Sequence, residues 1–186
     1  PPVGRTLGFL ALAVLVAFPT LAAAQWPGYN PQLDGSSVIV PGYAIGPYSL
    51  DLSVADFLWN HGQTRVRLNA LGPQFRGGVE GRFWWDLPVE VLTTAGDNAV
   101  LALGSPSSDY ATRQHIGVGS EEAKVTSTYG KPSAVVLVVG RPKVLIYDTL
   151  GVAFQIAYNL DEGGYGAVNT VFVFRPGQAA VIWRTP

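Results

Sequence analysis

General bases, paired carboxylates, activated serines and metal ligands are the usual tools of an exported hydrolase, and this chain holds each in small supply. It has 186 residues with 2 histidines, 13 acidic residues and no cysteine. His61 closes a predicted helix and His115 precedes a second helix phrase; neither has a nucleophile beside it in a recognisable motif. A metal site draws three or four ligands from Cys, His and carboxylates, and two separated histidines with scattered acids do not supply them. Ser120 enters a helix after two glycines, yet Val118 and Glu122 occupy both glycine positions of the Gly-x-Ser-x-Gly nucleophile elbow. As a helix N-cap, Ser120 needs no chemistry. Gly117-Val118-Gly119 opens like a dinucleotide fingerprint, but Glu122 stands where the third glycine belongs and its charge would repel a pyrophosphate. No catalytic, cofactor-binding or metal-binding residue is therefore assigned, and the chain is expected to be no enzyme.

The remaining acids sit beside aromatics. Glu80 and Asp86 flank Phe83-Trp84-Trp85, as carboxylates flank tryptophans in a sugar cleft, while Asp161-Glu162 precedes two glycines like a solvated hairpin tip. A glycan or ester hydrolase working through Glu80, Asp86 or Asp161 is the rival expectation. Strand alternation puts Phe83 and Trp85 on one side and Trp84 on the other. One side belongs to a core, and the other exposes a large aromatic of the kind that anchors interfaces. Phe83, Trp84 and Trp85 are thus the candidate partner-binding residues, unless both sides are buried. A third alternative is a carrier for a small apolar ligand in a pocket between two halves.

The elements that must position these groups begin after an export signal. Arg5 is the only charged residue among the first 24, an apolar run follows from Leu7 to Phe18, and Ala22-Ala23-Ala24 supplies small residues. That run is shorter than the roughly 20 apolar residues of a spanning helix. A secretory signal peptide over residues 1–24, cut between Ala24 and Gln25, is the expectation, and with it a periplasmic or secreted location. Without cysteine there is neither a lipid-modified N-terminus nor a disulfide, so no stable membrane anchor is expected after cleavage. Charged residues are 13% of the chain and the formal charge is −1, too little for a nucleic-acid partner. The expected partner is another envelope or extracellular protein.

Val, aromatics, Gly and Pro dominate the body, which favours sheet. Strands are predicted at 65–71, 83–85, 89–94, 98–103, 134–139, 144–147, 152–158, 168–174 and 179–183. Pro176-Gly177 reads as a tight hairpin between the last two. Gly104 to Asp109 reads as a linker. Each half opens on one helix. Ser53 caps the first, with Asp56 as the acidic member of a capping box, and Val54, Phe57 and Leu58 form its apolar stripe. Ser120 caps the second, with Val125 and Tyr129 on one face, and Gly130 with Pro132 stops it.

These two helices belong to a faint repeat. Aligning Glu121 with Ser53, an offset of 68 (121 − 53), places Val125 on Phe57 and Gly130 on Gly62. The expected fold is α+β, two similar units, each a short N-terminal helix packed on an antiparallel sheet. The boundaries are 25–43 for an N-terminal extension, 44–107 for the first unit and 108–186 for the second. Gly119-Ser120, Val125, Tyr129-Gly130 and Pro132, followed by antiparallel strands, resemble small exported bacterial proteins. These are the outer-membrane-assembly lipoproteins of the SmpA/OmlA type and the beta-lactamase inhibitory proteins, which carry two such units in tandem. The resemblance implies a sheet-based, non-enzymatic interaction module. The cysteine that anchors the lipoproteins and the disulfides common in the inhibitors are both absent here.

Overall fold

The computed structural model describes residues 36–61, 66–69, 71–84, 87–97, 99–159 and 164–184. Three short strands, β1 (Val38–Val40), β2 (Ala44–Ile45) and β3 (Tyr48–Ser49), lead into α1 (Val54–His61). The strands β4 (Val66–Asn69), β5 (Val79–Trp84), β6 (Glu90–Thr94) and β7 (Val100–Ser105) then run up and down. After β8 (Ala111–Thr112) comes α2 (Glu122–Tyr129), followed by β9 (Ala134–Val136), β10 (Lys143–Tyr147), β11 (Val152–Asn159), β12 (Gly164–Phe174) and α3 (Ala179–Ile182).

The fold is α+β, with short helices on mostly antiparallel sheet. One 8-stranded sheet has the order β4-β5-β6-β7-β12-β11-β10-β9; a 4-stranded sheet has the order β3-β2-β1-β8. The two four-stranded runs meet where β7 pairs antiparallel with β12, Gly104 opposite Phe172 and Leu103 opposite Val173. Both α1 and α2 are 8 residues long, and their first residues lie 68 apart (122 − 54). The residue before each helix makes an isolated bridge, Ser53 to Ala99 just before β7 and Glu121 to Ala167 of β12. Those two partners are also 68 apart (167 − 99).

Local chemistry explains why the helices start and stop there. The Ser53 N–H donates to Asp56 Oδ2 at 2.7 Å and the Asp56 N–H donates to Ser53 Oγ at 3.2 Å, the reciprocal pair of a capping box. Gly130 ends α2 at φ 77°, which L side chains avoid. The N-cap of α2 differs from expectation: Glu121 holds it without a side-chain bond, and Ser120 Oγ turns back to accept the Gly117 N–H at 3.1 Å.

Both faces of the large sheet are covered along its centre. On one face, Val54 and Phe57 of α1, Val125 of α2 and Ile39 and Ile45 of the small sheet pack on Val91, Leu103, Phe154, Val171 and Val173. On the other, Phe75, Ile182 and Trp183 pack on Leu92, Ala102, Ile146, Phe172 and Phe174. This second cover is a strap of two segments paired antiparallel at Phe75 and Trp183. The Arg76 N–H donates to Ile182 O at 2.8 Å and the Arg184 N–H to Gln74 O at 3.0 Å.

Two expectations are corrected here. Residues 179–183 are not a strand paired through a Pro176-Gly177 hairpin; they form α3 and its exit. The Asp148 carboxylate accepts the Ala179 N–H at 3.0 Å, and that external cap starts the helical turn that drives Ile182 and Trp183 into the sheet. Gly104 and Ser105 belong to β7 rather than to a linker, with the Ser105 hydroxyl donating to Pro88 O at 2.7 Å. Residues 36–43, within the expected N-terminal extension, carry β1 and bury Ile39.

Candidate functional site

The residues chosen from sequence do not assemble into a catalytic site among the described residues. Glu80 lies on β5 with its carboxylate 3.7 Å from the Arg82 guanidinium. Asp86, Asp161 and Trp85 fall outside the described residues, as do residues 1–35 with the Ala24–Gln25 cleavage position. His115 is exposed on a turn at φ 59°, where Lys124 Nζ donates to its carbonyl at 3.2 Å. His61 is the last residue of α1. Among the described residues no group of three or more His, Cys, Asp or Glu is placed to hold a metal. Among them, too, no helix is long and apolar enough to cross a membrane.

Trp84 corrects the proposed aromatic face. Its ring is 0% exposed and stacks on Phe57 of α1 with centroids 5.4 Å apart. It is the floor of a core, so it offers nothing to a partner. Phe83, on the opposite side of β5, is half-buried.

A different surface stands out once the strand order is known. β9 and β4 are the two ends of the large sheet, and among the described residues neither has a neighbouring strand on its outer side. Proteins normally blunt such edges with charged side chains, bulges or a cover. β4 carries Arg67 within its four residues. β9 and the three residues that follow it, Ala134 to Val139, carry only apolar side chains.

Pairing with β10 sets which of these side chains are buried. Val136 is opposite Val144 and Ala134 opposite Ile146, which turns both toward the strap side. Val135, Leu137 and Val139 alternate with them and remain 39%, 60% and 96% exposed. Beyond the strand the Arg141 N–H donates to Val138 O at 3.0 Å across a tight turn, and Gly140 supplies the required positive φ of 68°. That turn holds Val139 at its tip. Pro132 and Pro142 bracket the segment. Between β9 and the strap a cleft of about 490 Å³ opens, lined by Pro73, Val135, Val136, Leu137, Val138 and Arg184.

Next to the edge, α2, β10 and β11 share an aromatic cluster. The Tyr129, Tyr147 and Phe154 rings pack within 6.0 Å of one another, and the Tyr147 hydroxyl donates to Gly130 O at 3.0 Å. Burial pushes the Tyr129 and Tyr147 phenols above their ordinary value, and the nearby Glu122 carboxylate adds to the effect at Tyr147. The edge is thus an apolar strand beside a cluster of aromatics that are buried or partly buried. That arrangement suits the pairing of an extended chain, in which backbone hydrogen bonds give affinity and alternate side chains give selectivity. Sequence reasoning found this strand but not its place at the end of the sheet. The signal that was available is the unbroken apolar stretch bracketed by two prolines.

No family model matches the chain, and no curated protein matches it. Among solved structures, an uncharacterised protein from Escherichia coli, YfeY, is similar at 12% identity and a TM-score of 0.47, covering 74% of this chain and 99% of that one. A cysteine-rich secretory protein from Staphylococcus aureus is similar at 10% identity and a TM-score of 0.37, covering 72% of this chain and 48% of that one.

Proposed function

We propose that this chain is an exported, non-enzymatic binding module that takes an extended segment of another envelope or extracellular protein along its β9 edge. The observation that carries the proposal is the edge itself: Val135, Leu137 and Val139 exposed at the end of the sheet, with no further strand beyond it among the described residues, next to a cleft of about 490 Å³. The apolar export signal expected at residues 1–24 and the resemblance of the α2 phrase to the beta-lactamase inhibitory proteins support the same class. The edge replaces the sheet face expected from sequence, because α1, α2 and the small sheet cover one face and the strap covers the other.

Magnitudes favour a modest affinity. Fully burying a Val or Leu side chain gains about 1.5–3 kcal/mol, and the three exposed residues offer roughly two side chains' worth, about 3–6 kcal/mol. Association itself costs an estimated 4–15 kcal/mol. Strand pairing and contacts in the cleft must therefore supply the balance.

The test places a photo-crosslinking amino acid at position 139 and exposes the chain to its native envelope. The expected result is one crosslinked protein, identified by mass, whose yield falls when Leu137→Asp is added. Turnover of chromogenic glycan or ester substrates that disappears in Glu80→Gln would contradict the proposal and favour the hydrolase instead.

A further inference from the structure

We propose that the strand accepted by β9 is apolar at alternate positions and acidic at its ends; this rests on the binding-module proposal above and assigns its ligand chemistry. The charge carried by the edge's own stretch of chain is one-sided, and the Asp148 carboxylate, whose backbone lies against Ser133, is taken up by the Ala179 N–H. Between Glu122 and Asp148 the chain carries Lys124, Lys131, Arg141 and Lys143 and no carboxylate. Two of these cations are already engaged. Lys143 pairs with Glu122 and lies 4.5 Å over the Tyr165 ring, and Lys124 binds the His115 carbonyl. Lys131 and Arg141 are exposed and make no ion pair among the described residues, and they stand at opposite ends of the apolar segment. Arg184, also exposed, faces the same segment from the far wall of the cleft.

An incoming strand about as long as the segment meets a guanidinium or ammonium group near each terminus and a third cation along its side. Carboxylates at both ends satisfy that pattern, whereas lysines there meet only like charge. The same arrangement selects against a second copy of this chain. Antiparallel self-pairing about the middle of 134–138 carries the Lys131 end of each copy toward the Arg141 end of the other, cation against cation. The flanking charges thus guard an apolar edge against itself while leaving it open to a partner of opposite sign.

The experiment uses two fluorescein-labelled peptides, one Asp-Ile-Thr-Val-Thr-Ile-Asp and its twin with lysine at both ends, titrated with the full chain by anisotropy. The expected result is at least tenfold tighter binding of the acid-ended peptide at 50 mM salt, with the gap narrowing as salt screens it. The double substitution Lys131→Glu with Arg141→Glu should reverse the order of the two peptides. Both side chains are exposed, so circular dichroism of the variant should be unchanged. Equal affinities for the twins, or no reversal in the variant, would overturn the charge proposal and leave the binding module standing. Tighter association with anionic vesicles than with either peptide would overturn it, as would dimerisation of the chain that blocks the acid-ended peptide. Only failure of both peptides together with loss of the position-139 crosslink would remove the binding module as well.

Discussion

Replacing Gly104 by alanine puts a methyl group under the Phe172 ring at the join between the two four-stranded runs. The two residues are directly opposed across β7 and β12, and a Cβ on Gly104 would fall 2.6 and 2.8 Å from two ring carbons of Phe172. Carbon atoms pack at about 3.5–4.0 Å, so the ring must move by close to 1 Å. It has little freedom to do so, because Phe75 holds it edge-on at 5.8 Å and Trp183 at 5.9 Å. Overpacking of this kind costs about 1–3 kcal/mol, and each aromatic contact weakened adds about 0.5–1.5 kcal/mol. A loss of about 3 kcal/mol is expected. At about 2–4 °C per kcal/mol for a chain of this size, the melting temperature should fall by about 6–12 °C. The control is Gly77→Ala, where the added Cβ meets nothing within 4 Å and φ lies outside the left-handed region; a change within about 1 kcal/mol, on the stabilising side, is expected there. Urea denaturation of both variants, with circular dichroism for the helices and strands and tryptophan fluorescence for the strap, measures the difference. A Gly104→Ala protein within about 0.5 kcal/mol of the parent would show that Phe172 does not lie over Gly104. The continuous eight-stranded sheet would then be wrong at its centre.

Other perturbations test the remaining layers. Ser53→Ala removes the hydroxyl that accepts the Asp56 N–H, and a loss of about 1 kcal/mol in a urea titration is expected, against a smaller loss for Ser120→Ala, whose hydroxyl accepts the Gly117 N–H but does not cap α2. Trp183→Ala opens a cavity under the strap and should cost about 3–5 kcal/mol. Trp183→Phe should cost clearly less, since the Trp183 Nε1 donor is buried without a partner among the described residues. Burial raises the Tyr110, Tyr129 and Tyr147 phenols above their ordinary value of 10.0. The unfolded chain therefore ionises first; stability is full below about pH 10 and is lost as pH climbs through the raised folded values. Urea midpoints at pH 8, 10 and 11 should fall in that order, and Tyr129→Phe with Tyr147→Phe should flatten the fall.

Much of the fold can be read from local signals. Ser53 and Asp56, three apart, announce α1, and Gly130 announces the end of α2, because caps are made by neighbours in sequence. The strands of the second run are legible for a related reason: β10 is buried on both faces, so it reads as the unbroken Val144-Leu145-Ile146-Tyr147. The failures come where a distant residue decides. Ala179 to Trp183 is too short for periodicity to distinguish strand from helix, and Asp148, 31 residues earlier, settles it by taking the Ala179 N–H. Trp84 and Phe83 alternate as expected, but α1 arrives on the Trp84 side and consumes the ring as core. The β9 edge was hidden for the same reason. Val135, Leu137 and Val139 are indistinguishable by type from buried strand residues, and only the order of the eight strands puts them at the end of the sheet.

Hydrogen exchange along β9 tests the central claim most directly. With the acid-ended peptide present, backbone amides within 134–138 should exchange at least tenfold more slowly than in the free chain, while those of β5 around Phe83 stay unchanged. Protection that appears at β5 instead, with 134–138 unaltered, would contradict the account and return the interaction to the sheet face.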